Sequence, residues 1–166
     1  MISLNPAAGA DPFDGVAHLL DKLRNLSSFD QATVASAINR GFADNFRNEQ
    51  AGDEAPWLSL RPFTIAQRKK KGFGPGPILV QTGQYRDSFV KRSSPGHVEK
   101  FTGTRTGWRL ESGSQDYRVG TLEYGGTNSM GRFVPPRPAS FLSDASEERV
   151  FDAIDSIVDR VIATGA

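Results

Sequence analysis

Apolar positions along this 166-residue chain follow a helical period near both ends and lose it in the middle. From Phe13, the residues Val16, Leu19, Leu20, Leu23 and Leu26 recur at spacings of one, three and four, which predicts a helix with one apolar stripe. Ser28 with Gln31 three residues later reads as a capping box and predicts the start of a second helix. Val34, Ala35, Ile38, Phe42 and Phe46 form its inward stripe. Gly41 interrupts that helix at a cost of about 1 kcal/mol against Ala, so a close helix crossing is the expected reason for it. The last helix is the clearest element. Asp144 and Glu147 read as a capping box ahead of Val150, Phe151, Ile154, Ile157, Val158, Val161 and Ile162.

Between these helices the pattern breaks up. Residues 50–63 are irregular, with Gly52, Pro56 and Pro62 around Trp57 and Leu60, two apolar anchors for the core. Thr64 is expected to cap a short helix through Lys70, which the Gly- and Pro-rich run 72–77 ends. Gly83 to Val90 reads as another brief helix. Segments 96–102, 106–112 and 116–124 are rich in Val, Thr, Phe, Trp and Tyr and are divided by glycines, which predicts three short strands. Val98, Phe101, Trp108 and Leu110 are expected on their buried face, and residues 125–142 are expected to form a loop. Together these elements predict an α+β fold: a small antiparallel sheet packed against N-terminal helices and a long C-terminal amphipathic helix, with extended loops. The length suits one domain over residues 13–166, preceded by an arm of residues 1–12, which are small and aperiodic.

Composition narrows the chemistry. The chain has no cysteine, which excludes a disulfide framework and a thiolate metal site, and its two histidines exclude a multi-histidine site. No catalytic residue, metal or other cofactor is expected. GFGPGP at 72–77 lacks the spacing and the lysine of a phosphate loop. Ser129 lies in GTNSMG, where Thr127 replaces the first glycine of a nucleophile elbow. His97 has no recognisable nucleophile beside it, so a structural role is expected and a hydrolase is the weakest reading. The N-terminal residues do not resemble a secretory signal, and no run approaches the ~18 apolar residues of a membrane span. A soluble protein made inside the cell, without a membrane partner, is expected.

The formal net charge of +1 conceals a division along the chain. Residues 1–60 carry four basic and eight acidic side chains, residues 61–110 eleven and two, and residues 111–166 five and nine. Such blocks describe surfaces and partners rather than fold. Four consecutive cations, Arg68, Lys69, Lys70 and Lys71, are expected to face DNA or an acidic neighbouring protein.

Several short words occur in a familiar order: Trp57-Leu-Ser-Leu60 followed by Thr64 and Arg68, then ILVQTGQYRDSF at 78–89, LEYGGT at 122–127 and PPRPASFL at 135–142. In this order the chain resembles the phage virion morphogenesis family, the tail completion or neck proteins of tailed bacteriophages. The family word I-L-x-x-T-G-x-L is carried by Ile78, Leu79, Thr82 and Gly83, with Tyr85 in the last place. Glu123, Tyr124 and Gly125 match a second word whose preceding histidine is here Leu122. Pro136, Arg137 and Pro138 match a third, with Ala139 and Ser140 inserted before Phe141.

The resemblance implies a structural virion protein, a tail terminator or neck subunit. It would form a ring of roughly six copies, or roughly twelve, through which DNA passes, with a head–tail connector or adaptor on one face and tail tube or sheath on the other. The place implied is the virion neck, after synthesis in the host cytoplasm. Trp57, Leu60, Thr64, Leu79, Gly83, Glu123, Tyr124, Gly125, Pro136, Arg137 and Pro138 are then candidates for assembly or structure. Arg137, stiffened by flanking prolines, is expected either in an ion pair between subunits or as a surface arginine. Gly83 and Gly125 are expected at positive φ. The alternative from another class is a small basic nucleic-acid-binding module using the same cationic run.

Overall fold

Residue 21 and residues 25–104, 107–128 and 131–164 are described by a computed structural model. The chain is α+β, with helices at both ends of the described region around a small antiparallel hairpin. The expected arm and nearly all of the helix expected from Phe13 lie outside the described residues, as does Ser129. Leu26, the last residue of that stripe, is buried and lies outside any helix.

Helix α1 spans Ser28–Asn48. Its cap is Ser27 rather than Ser28: the Ser27 hydroxyl accepts from the Asp30 backbone N–H at 3.2 Å. Gln31 instead donates to the Leu26 carbonyl at 2.8 Å, one residue out of register for a capping box. The expected stripe faces inward and divides between two clusters. Val34 packs with Leu26 and Ile157, while Phe42 and Phe46 join Trp57, Ile78, Tyr85, Phe89 and Ala139. In the second cluster the rings meet edge to face, Phe46 against Trp57 at 5.7 Å and Tyr85 against Phe89 at 5.3 Å, the arrangement that ring quadrupoles favour.

Helix α2 (Pro62–Lys70) starts two residues before Thr64. Pro62 at the first helical position needs no N–H partner and has a preset φ, so it starts the helix without a side-chain cap. Thr64 is exposed in the first turn. Helix α3 (Gln84–Val90) follows Gly83, whose φ of 77° is the left-handed conformation expected there. Strands β1 (His97–Thr104) and β2 (Gly107–Ser114) pair antiparallel with Phe101 opposite Leu110. Phe101, Trp108 and Leu110 pack beneath α1 against the Val34 cluster. Val98 lies three residues from Phe101 and therefore points to the opposite face of the strand.

The third expected strand is instead helix α4, Val119–Tyr124. Asp116 sets this outcome. Its carboxylate accepts from the Arg118 backbone N–H at 2.9 Å and its carbonyl from Val119 at 2.9 Å, which turns the chain before a strand can extend. The expected loop contains one small ladder, β3 (Gly126–Thr127) with β4 (Phe133–Val134).

Helix α5 spans Asp144–Ala163, and Ser143 rather than Asp144 caps it by accepting from the Ser146 N–H. Asp144 and Glu147 occupy the first turn, where carboxylates favour the positive helix end. Ile157, Val150, Ile154 and Val161 face α1. Phe151 and Ile162, expected on the same stripe, are 61% and 41% exposed. The apolar arc of α5 is thus wider than the face that α1 covers.

Gly41 lies at the α1–α5 crossing. A Cβ there would come within 2.5 Å of the Leu142 side chain and 3.0 Å of Ser146 Cβ. Gly41→Ala gains about 1 kcal/mol of helix propensity but incurs an overpacking cost of about 1–3 kcal/mol. A net loss of about 1 kcal/mol is expected in urea unfolding, with an unchanged m-value.

Candidate functional site

The separate words behind the family resemblance meet at one place, where residues 135–142 cross the core. This segment is irregular, so side chains from other elements must satisfy its backbone. Trp57 Nε1 donates to the Pro138 carbonyl at 3.0 Å. Asn45 Nδ2 donates to the carbonyls of Ala139 and Phe141, and its Oδ1 accepts from the Gly52 N–H at 3.0 Å. Glu123 accepts from the Ala139 N–H at 2.8 Å and from the Ser140 hydroxyl at 2.7 Å. The Arg137 N–H reaches the Leu122 carbonyl at 2.6 Å.

Arg137 itself is only 7% exposed, neither a surface arginine nor an ion-pair partner within the described residues. Its Nε and Nη2 both donate to the Leu58 carbonyl, at 3.1 and 2.9 Å, and Nη1 makes no hydrogen bond among the described residues. Burial makes this guanidinium easier to deprotonate than an ordinary arginine. Gly125, at φ 73°, allows the segment's close approach, because a Cβ there would meet Pro136 Cδ at 3.0 Å and Pro136 N at 3.1 Å. Pro136 is exposed and Pro138 half-buried, while Tyr124 points outward and is 84% exposed.

The cationic run is divided by the fold. Arg68 is buried at 6% exposure, and its Nη1 donates to the Pro77 carbonyl at 3.1 Å, pinning the 72–77 loop back onto α2. It is therefore enclosed by the chain's own loop rather than presented at the surface with the rest of the run. The helical period turns one residue of such a run inward, and only Lys69, Lys70 and Lys71 stay exposed. Beyond the loop, Val80 N–H donates to the Pro77 carbonyl in a turn that holds Leu79 at φ 62°. Left-handed backbone costs a non-glycine residue about 1–2 kcal/mol, and packing of Leu79 against the aromatic cluster offsets it. Leu60 packs against the same cluster.

Two features here had a weak sequence signal. Asn45 is a polar residue on the buried side of α1 beside Phe46, an anomaly that marks a partner elsewhere in the chain. Asp116 and Arg118 form a paired clamp, with Arg118 stacked 5.4 Å over the Tyr85 ring. The hydrogen bonds from Arg118 hold the Asp116 carboxyl below the usual carboxylate range. Burial, then the charges of Glu123 and Asp116, keep the Tyr85 phenol protonated. The His97 side chain is enclosed, with Nδ1 3.0 Å from the Ser88 carbonyl and Nε2 3.7 Å from Glu99. Among the described residues no group of three or more His, Cys, Asp or Glu is arranged to hold a metal ion, and no helix is long and apolar enough to cross a membrane.

Beside the crossing lies an open cleft of about 840 Å3 between α2 and the β3–β4 ladder. Its walls include Leu58, Phe63 and Phe133, all more than half exposed, together with Arg61, Arg132 and Arg137. Among the described residues no carboxylate lines it. Arg132 lies 5.1 Å over the Phe63 ring, and Arg61 has no acidic partner among the described residues.

Arg137→Lys removes a two-pronged donor from a buried carbonyl that a point-charge ammonium cannot replace. A loss of about 1–3 kcal/mol of unfolding free energy is expected in urea titration at neutral pH. Asp116 has a lowered folded-state pKa, so its contribution is present above the unfolded value of about 3.9 and fades as pH falls through the folded value. Asp116→Asn is expected to cost about 1–2 kcal/mol at pH 7. Thermal melts from pH 7 to pH 2 should show that gap closing at the acid end.

Compared with known proteins, the chain matches no family model, no curated sequence and no solved structure.

Proposed function

We propose that this chain is a structural subunit of a tailed-bacteriophage virion, a tail-completion or neck protein that forms a ring at the head–tail junction for DNA to pass through. One observation carries the reading. The four words of the family resemblance, spread over residues 57–142, pack against one another through Trp57, Glu123, Arg137 and the Ile78–Tyr85 stretch. Residues with a shared architectural task converge in this way.

Several surfaces suit assembly. Leu58, Phe63, Tyr124, Phe133, Phe141 and Phe151 are large and exposed. In a closed ring each subunit offers two different faces to its neighbours, and a charge-divided chain supplies them. Lys69, Lys70 and Lys71 then face the DNA path or an acidic adjoining ring, without Arg68. Connector or adaptor on one side, and tail tube or sheath on the other, would take the remaining faces.

Native mass spectrometry and electron microscopy of the purified chain test the reading. A ring-sized multimer with a central opening is expected. Phage deprived of the chain are expected to accumulate filled heads and tails that fail to join, with joining restored when it is added back. Normal particles without it would overturn the proposal. So would a monomer that binds DNA with steeply salt-dependent affinity, the behaviour of a nucleic-acid-binding module.

A further inference from the structure

Helix α5 has a second organised side. Glu148, Phe151, Asp155, Asp159 and Ile162 fall on one outward stripe at helical spacing, with Asp152 beside it, and all are exposed. The stripe from Phe151 to Ile162 is about 16 Å long at the α-helical rise. Both arginines of α5 are engaged with α1: Arg149 pairs with Asp44 at 2.6 Å, and Arg160 pairs with Asp30. Glu148, Asp152, Asp155 and Asp159 therefore have no cationic partner among the described residues. An apolar residue at each end and carboxylates between them make a face that is both sticky and negative.

The cleft beside α2 has the opposite character. Leu58, Phe63 and Phe133 give it exposed apolar walls, Arg61, Arg132 and Arg137 give it charge, and the described residues bring no acid to it. Arg137 contributes a buried cation whose Nη1 makes no hydrogen bond among the described residues. Apolar walls matched to apolar ridges, with arginines opposite carboxylates, is the complementarity that fixes the register and partner of an interface.

We propose that this cleft receives the outward face of α5 from a second copy of the chain, with Phe151 set among Leu58, Phe63 and Phe133 and with Asp152 and Asp155 facing Arg61 and Arg132. The contact joins two different surfaces, so copies add head to tail and close by rotation. The inference rests on the ring reading and gives that ring its subunit contact.

Because the chain has no cysteine, single thiols report the contact directly. Phe133→Cys and Phe151→Cys, both at exposed positions, are mixed and mildly oxidised. A covalent dimer is expected from the mixture and none from either variant alone. Charge reversal supplies the second measurement. Arg61→Glu with Arg132→Glu, and separately Asp152→Arg with Asp155→Arg, are each expected to weaken self-association by about tenfold or more, with circular dichroism unchanged. Mixing the two restores it, since each then meets an opposite charge. Wild-type multimers that persist in both reversed variants, with no mixed disulfide, overturn this contact and leave the ring reading standing. A thiol variant that cross-links to itself overturns the head-to-tail geometry. A wild-type chain that stays monomeric at millimolar concentration and low salt overturns both. DNA binding by that monomer, lost in the Arg61→Glu, Arg132→Glu variant, would assign the cleft to nucleic acid instead.

Discussion

An extended segment that crosses a protein core without joining a sheet must find hydrogen-bond partners for its backbone elsewhere. Residues 137–141 are in this position, and the rest of the structure is arranged around them. Asn45 reaches them from α1, Trp57 from the irregular stretch beyond it, and Glu123 from α4. Arg137 returns the favour by gripping the Leu58 carbonyl. Each of these side chains is polar and buried, and an unpaired partner would cost more than any one bond contributes. Removing any one of these side chains leaves the backbone group it served without that partner.

Helices α1 and α5 and the β1–β2 hairpin were legible in the chain because burial on one side imposes a period. The Val34–Phe46 stripe and the Phe101/Leu110 pair follow directly from it. The caps of α1 and α5 lie one residue before the expected ones, where two capping residues adjoin. Ser27 and Ser28 are equally suitable by type, and so are Ser143 and Asp144, and the geometry of the preceding turn decides between them. The segment over residues 116–124 misled for a different reason. Its Val, Thr and Tyr favour strands, but a local side-chain hydrogen bond at Asp116 overrides that preference. Arg68 and Arg137 were unreadable as buried residues, because nothing in their own neighbourhood of sequence shows the distant carbonyls that hold them. For the proposed assembly surface, the sequence offers only a resemblance to short family words and a division of charge.

That division of charge has a structural basis. Where acids and bases meet within the fold they pair locally: Asp87 between Arg86 and Lys91, Asp116 with Arg118, Asp44 with Arg47 and Arg149. Burial opposes ionisation of Asp87, yet hydrogen bonds from Lys91 and Arg86 outweigh it and keep its carboxyl below the usual range. The charges left over are then segregated, with carboxylates along outer α5 and arginines around the cleft. Unmatched charges of opposite sign on two separate surfaces give the chain two unlike faces.

The tie between Asn45 and the carbonyls of Ala139 and Phe141 spans more than ninety residues of chain. During synthesis, α1 therefore leaves the ribosome long before the groups that satisfy it exist. Contacts of such long sequence separation form late. The aromatic cluster is complete by Phe89 but stays partly wet until Ala139 and its neighbours arrive to cover it. A chain that stops short of residue 137 would have the stripe of α1 but would lack the segment that covers it.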